Sequence, residues 1–241
     1  MPYLQNRLFT GARRDVIENI GSALMPRTYA RKAVVFDEGD PAALVYLIDR
    51  GAIRIRHNSK EGELVTSAII GESDLFGAEA AMGDAIRTTS ATCIERSRLW
   101  AICVRDVHEL MSRDPAIAVN LALRFKEQRD DALAALEDIA RARVSDRLLA
   151  LFERLAAFHG VALAGETLID VRLTQADVAS LIGTTRETVS VEMKNLVYAG
   201  TIRLAGRKIV LSRNTTRDRK RELGLEDTTS EDRIAAALRI R

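Results

Sequence analysis

Residues 174–198 read TQADVASLIGTTRETVSVEMKNLVY, two apolar helical patterns broken by one glycine. Thr174 and Asp177 stand in capping-box spacing, where a hydroxyl and a carboxylate each satisfy an orphan amide at a helix start. The helix they open carries Val178, Ala179, Leu181 and Ile182 as its apolar face. Gly183 permits a tight turn, Thr184 or Thr185 can cap again, and a second helix runs to Tyr198. Together they read as a helix–turn–helix. On the second helix Val189, Met193, Leu196 and Val197 share one face and are expected in the core. The opposite face displays Arg186, Ser190 and Lys194 at i, i+4 and i+8, flanked by Glu187 and Val191. Such a face suits a major groove, where arginine binds guanine O6 and N7 and glutamate accepts from cytosine N4.

Taken alone, the pattern also fits an ordinary helical hairpin with a solvated charged face. The next residues favour DNA. Thr201–Leu204 and Lys208–Leu211 flank a turn at Ala205-Gly206-Arg207, a β-hairpin wing whose basic tip suits a phosphate. The candidate contacts to double-stranded DNA are Thr174, Gln175, Thr185, Arg186, Glu187, Ser190, Val191, Lys194, Arg207 and Lys208. Charge agrees with this. The 241 residues carry a net charge of only +2, but residues 143–221 hold 14 basic and 8 acidic side chains, while residues 1–142 are net −2. A hydrophobic fraction of 47% with 29% charged residues excludes a disordered, collagen-like or disulfide-stapled chain.

Upstream the pattern is different. Residues 12–24 open the chain with an amphipathic helix through Val16, Ile17, Ile20 and Leu24. From Pro26 to about Trp100, short apolar and β-branched runs alternate with turns. They are Ala33–Phe36, Leu44–Ile48, the strictly alternating Ala52–His57, and Leu64–Ile70 after a turn at Lys60–Glu63. Many short strands with regular turn signals indicate an antiparallel barrel or sandwich. Asp114-Pro115 then starts a long helix. Along it Ala118, Leu121, Phe125, Gln128, Ala132, Ala135 and Ile139 recur at alternating spacings of 3 and 4. That seam fits either packing on the chain's own barrel or, with its small alanines, a parallel pairing with an identical helix. The dimer reading makes Leu121, Phe125, Gln128, Ala132, Ala135 and Ile139 the interface. A further helix follows from Val144 to about His159, and residues 160–173 read as a loop and short strand.

Two cysteines, Cys93 and Cys103, form no CxxC pair, and His57, His108 and His159 lie about fifty residues apart, so no metal site is expected. With no signal peptide after Met1 and no long apolar run, the chain reads as cytoplasmic, with free thiols and no membrane partner. There is no GxSxG, P-loop or GxGxxG, and no catalytic residues are expected.

The stretch Leu173-Thr174-Gln175 through Ile182-Gly183-Thr184-Thr185-Arg186-Glu187-Thr188-Val189-Ser190 resembles the recognition-helix signature of the Crp/Fnr family. Glu38-Gly39-Asp40-Pro41, Gly51, Leu75-Phe76-Gly77 and Asp114-Pro115 extend the resemblance over about residues 10–212. It implies an α+β chain with four parts. An N-terminal antiparallel β jelly-roll that senses an effector would occupy 1–113, and a dimerisation helix 114–142. A winged helix–turn–helix would occupy 143–213, followed by a tail at 214–241. It further implies a homodimeric transcription regulator on a palindromic site, working with RNA polymerase. Arg186, Glu187 and Lys194 fall on the family's DNA-contacting positions. Val191 stands where the cyclic AMP receptor protein carries arginine, which points to an altered half-site, since valine can touch only a thymine methyl.

For the effector, the resemblance implies a cyclic nucleotide or another small anion held by Gly77, Glu79, Arg87, Thr88 and Thr89, with Gln128 near it. Glu79 stands one position late, and Arg87 can equally pair with Asp84 or Glu79 as a structural residue. Ala132 and Leu133 replace the adenine-contacting Thr-Ser pair and cannot donate hydrogen bonds, which argues against cyclic AMP in its usual pose. A ligand-binding regulatory module with no DNA role is the competing reading; it leaves the wing unexplained.

Overall fold

A computed structural model describes residues 2–212 except 22, 60–63, 142, 164 and 207, with main chain only at 2, 138–141 and 158. The expected turn at Lys60–Glu63, the wing-tip residue Arg207, the side chain of Ile139 and the tail at 214–241 lie outside the described residues.

The first half is a β-sandwich of eight strands. In chain order it comprises α1 (Arg14–Asn19), β1 (Met25–Tyr29), β2 (Val34–Phe36), β3 (Leu44–Arg50), β4 (Ile53–Asn58), β5 (Leu64–Ile70), β6 (Leu75–Phe76), β7 (Ser90–Cys93) and β8 (Ser97–Cys103). Two four-stranded sheets, ordered β1-β8-β3-β6 and β2-β7-β4-β5, face one another. Their inner faces contribute Phe36, Tyr46, Ile48, Ile53, Ile55, Ile70, Phe76, Cys93 and Leu99 to one core. Strand β3 is apolar on both sides for a reason. Tyr46 and Ile48 point into the sandwich, while Val45 and Leu47 point outward under a helical cover.

That cover is built by residues 2–24, by α2 (Val104–Arg113) and by the first turns of α3 (Pro115–Arg141). The opening helix expected over 12–24 is shorter, and 3-10 turns at Pro2–Gln5 and Arg7–Phe9 precede it. They are pinned by polar contacts. Asn6 is buried, its Nδ2 donating to the Asp74 carbonyl at 2.8 Å, and Asn120 on α3 donates to the carbonyls of Leu8 and Thr10. The carboxylate of Asp114 accepts from the amides of Arg13 and Ala116, which hold its carboxyl below the usual carboxylate range.

This cover takes two members of the expected seam on α3, Leu121 and Phe125, and leaves Gln128 and Ala132 exposed and Ala135 half-buried. Leu121 is 1% exposed in the chain's own core, and Phe125 packs against that core. Heptad spacing identifies a face to be covered but not what covers it. Among the described residues, the large apolar side chains that α3 leaves exposed are Val119, Leu123, Leu133 and Leu136.

The second half comprises α4 (Val144–His159), β9 (Gly160–Leu163), β10 (Glu166–Ile169), α5 (Gln175–Ile182), α6 (Arg186–Tyr198), β11 (Ile202–Ala205) and β12 (Lys208–Leu211). The segment expected to hold one short strand holds a hairpin, β9–β10, which completes a four-stranded sheet ordered β11-β12-β10-β9. Leu148, Phe152, Ile169, Val178, Val189 and Ile209 form its core. The same core takes in Ala52 and Ile94 of the sandwich, so the two halves share an apolar boundary.

Candidate nucleic-acid interface and effector cavity

Thr174 adopts extended backbone and caps α5 reciprocally. Its Oγ1 accepts from the Asp177 amide at 3.2 Å, and the Asp177 carboxylate accepts from the Thr174 amide at 2.8 Å. Gly183 follows at φ +62, a left-handed conformation that costs a side-chain-bearing residue, and this turns the chain into α6. Thr185 caps α6 by accepting from the Thr188 amide at 3.2 Å. Val189, Met193 and Leu196 are buried as expected, whereas Val197 is 41% exposed. Arg186, Glu187, Val191 and Lys194 all stand exposed on the outer face, and Ser190 is half-buried. On the wing, Lys208 forms an ion pair with Asp170, and Arg203 with Glu166 at 2.7 Å. Gln175 is half-buried at the start of α5.

The inner end of α5 meets the sandwich. Asp177, 3% exposed, accepts from Arg54 Nη2 of β4 at 2.7 Å and lies 3.4 Å from the hydroxyl of Thr66 on β5. Arg54 belongs to the outward row of the alternating strand, so its placement follows from the sequence pattern. Its partner does not. A second contact is steric. His159, at the end of α4, lies over Gly71, where any Cβ would stand 2.2 Å from the imidazole Cε1. Burial lowers the pKa of His159, outweighing the hydrogen bond its ring donates to the Ile69 backbone and the field of Asp74, Asp170 and Glu72.

Between sandwich, α3 and the second half lies a cavity of about 440 Å3. Gly77, Glu79, Thr88, Thr89 and Gln128 line it, as do Ala132 and Ala135 of the α3 seam. The wall that sequence reasoning missed is supplied by Leu151, Arg154, Leu155, His159 and Leu181. No local signal marks these residues, because they reach the cavity only through domain docking. Arg87 stands behind the lining, 2% exposed. Its Nη1 donates to the Gly77 carbonyl at 3.0 Å and to the Glu79 carboxylate at 3.1 Å, and its Nη2 donates to the Leu44 carbonyl. The guanidinium carbon lies 4.1 Å from the centre of the Phe36 ring. Of the two carboxylates offered to Arg87 as ion-pair partners, Asp84 and Glu79, it meets Glu79.

Among the described residues no group of three or more His, Cys, Asp or Glu could hold a metal ion. Cys93 is buried, and burial pushes its thiol pKa up. No helix of the described residues is long and apolar enough to cross a membrane.

Family models match in two places: a cyclic nucleotide-binding domain at residues 26–114 and a Crp-like helix-turn-helix domain at 142–215. The chain belongs to the Crp/Fnr family. It is 28% identical over 209 residues to the CRP-like cAMP-activated global transcriptional regulator of Mycobacterium tuberculosis, covering 85% of this chain and 92% of that one. It is 29% identical over 201 residues to the cyclic AMP receptor protein of Thermus thermophilus, covering 82% and 88%. Among solved structures, the c-di-GMP-responsive regulator CLP of Xanthomonas campestris matches with a TM-score of 0.69 at 20% identity, covering 83% of this chain and 99% of that one, a likeness of fold. As a Crp/Fnr member the chain is a DNA-binding transcription regulator with a ligand-binding-type β-sandwich, which disposes of the module with no DNA role.

Proposed function

We propose that the protein binds a palindromic DNA site as a homodimer, with α6 in the major groove and a small effector in the cavity setting its affinity. The exposed row Arg186, Glu187, Val191 and Lys194 on a capped helix carries the reading. Arg186 and Glu187 supply base-edge contacts, and Thr174, Gln175, Thr185, Ser190 and Lys194 supply positioning contacts to phosphate. Lys208 joins them once it leaves Asp170. The dimer closes through the exposed row Val119, Leu123, Leu133 and Leu136, with Ala132 and Ala135 beside it. The protein acts in the cytoplasm, engages RNA polymerase at its target promoters and carries out no catalysis. Effector binding shifts the two-state orientation of the winged helices only so far as it binds the two states unequally.

Nuclease footprinting tests the core of this reading. Protection of half-sites about one helical turn apart is expected. Protection of a single half-site, or none with any effector tried, overturns it.

A further inference from the structure

Resting on the reading that a small effector occupies the cavity, we infer that this effector is an uncharged, largely apolar molecule rather than a cyclic nucleotide or another anion. Three observations converge on that class. The first is where the cation has gone. The arginine beside the Thr88 and Thr89 hydroxyls, where a cyclic phosphate would sit, is Arg87, and it is buried behind the lining, bound to two backbone carbonyls and the Glu79 carboxylate and stacked over Phe36. Recruiting it would strip Gly77 and Leu44 of a buried donor and leave Glu79 beside the incoming negative charge.

The second is the sign of what remains. The lining holds three carboxylates, Asp74, Glu79 and Asp131, against two guanidiniums, Arg124 and Arg154. Arg124 already faces Asp74 at 2.8 Å. His159, its pKa lowered by burial, adds no cation near neutrality. With Arg87 neutralising Glu79 from behind, charges of the two signs balance, and an anion entering this space meets no surplus positive charge.

The third is the wall itself. Phe36, Ile55, Phe76, Phe125, Leu155 and Leu181 present apolar surface from both sheets, from α3 and from the DNA-binding half. A volume of about 440 Å3 is ample for a small ligand. An occupant that spreads over these side chains touches sensor and reader at once. It therefore stabilises their docked arrangement directly, without relying on α3 to carry the signal.

The neutral dye N-phenyl-1-naphthylamine, which brightens in apolar surroundings, is the probe for the full-length protein. Saturable brightening is expected, with one dye per chain. The signal should be lost in Ser67→Trp and in Ala132→Trp, which project bulk into the cavity from exposed positions on β5 and α3. Neither cyclic AMP nor cyclic GMP should displace the dye. Displacement by either nucleotide overturns the inference, as does absent brightening or brightening that survives both substitutions. Footprinting the same preparations keeps the two readings apart: loss of palindromic protection strikes at the DNA reading, and dye behaviour at the effector class.

Discussion

Arg54 on β4 and Asp177 on α5 are joined by a 2.7 Å hydrogen bond across 123 positions of sequence. The Asp177 carboxylate also closes the capping box that starts the helix–turn–helix, so one buried group serves both the reader's own fold and its attachment to the sensor. Arg54→Met should cost about 1–3 kcal/mol in urea unfolding, because it leaves a buried carboxylate short of a donor. Asp177→Ala should cost about 1 kcal/mol more, through loss of the cap. In a double-mutant cycle the two effects should fall well short of additivity. Additive effects would dissolve the link.

Arg186→Ala should weaken specific DNA binding by about 1–3 kcal/mol, one bidentate base contact, and relax preference at one position of the half-site. Binding to nonspecific duplex should change far less. Titration of a labelled operator with and without excess competitor DNA separates the two. Equal losses on both DNAs would reassign Arg186 to a phosphate.

Acidification should loosen the junction between the halves. Burial over Gly71 favours the neutral form of His159 against the opposing pull of Ile69, Glu72, Asp74 and Asp170. An unfolded chain titrates this imidazole near pH 6.5. Between that pH and the lowered native pKa, the unfolded state binds more protons. Stability from this group is therefore full above about pH 6.5 and erodes as pH falls through it. Unfolding curves across that range should show the slope, and His159→Gln should flatten it. An unchanged slope would place the pH dependence elsewhere.

Arg87→Met should destabilise the sandwich by about 2–4 kcal/mol, since the carbonyls of Gly77 and Leu44 lose a charged donor and Glu79 loses its partner. Arg87→Lys should recover only part of this, because an ammonium cannot reach several acceptors with a planar fork. Thermal and urea melts measure both variants. A neutral result for Arg87→Met would remove the structural role and return the arginine to ligand duty.

The reading face was legible because its signals are local. Thr174, Asp177, Gly183 and Thr185 each act within a few residues, and the apolar period of α6 needs no partner to be read. Strands β2 to β5 and the wing strands followed for the same reason, whereas β1, β6, β7 and β8 were not singled out, and β9 keeps Val161 and Leu163 exposed with no inward pattern. Contacts across the chain were hidden. Asn6 looks like any polar residue near a terminus, yet it is buried beneath Asp74. Arg54 belongs to a row that alternation assigns to the outside, and nothing in the strand says that the outside is Asp177. The seam on α3 was legible as a period only: the chain's own core covers Leu121 and Phe125, and the spacing does not say what covers Gln128, Ala132 and Ala135.

The four side chains that face outward from α6 take no part in the core or in the seat on β4 and β5. Target choice and signal transmission therefore draw on separate residues. Substitutions at Arg186, Glu187, Val191 and Lys194 can redirect the protein to other promoters while its folding and its response to effector stay as they are. A duplicated copy of this gene could acquire a different set of genes to control long before it needed to learn a different signal.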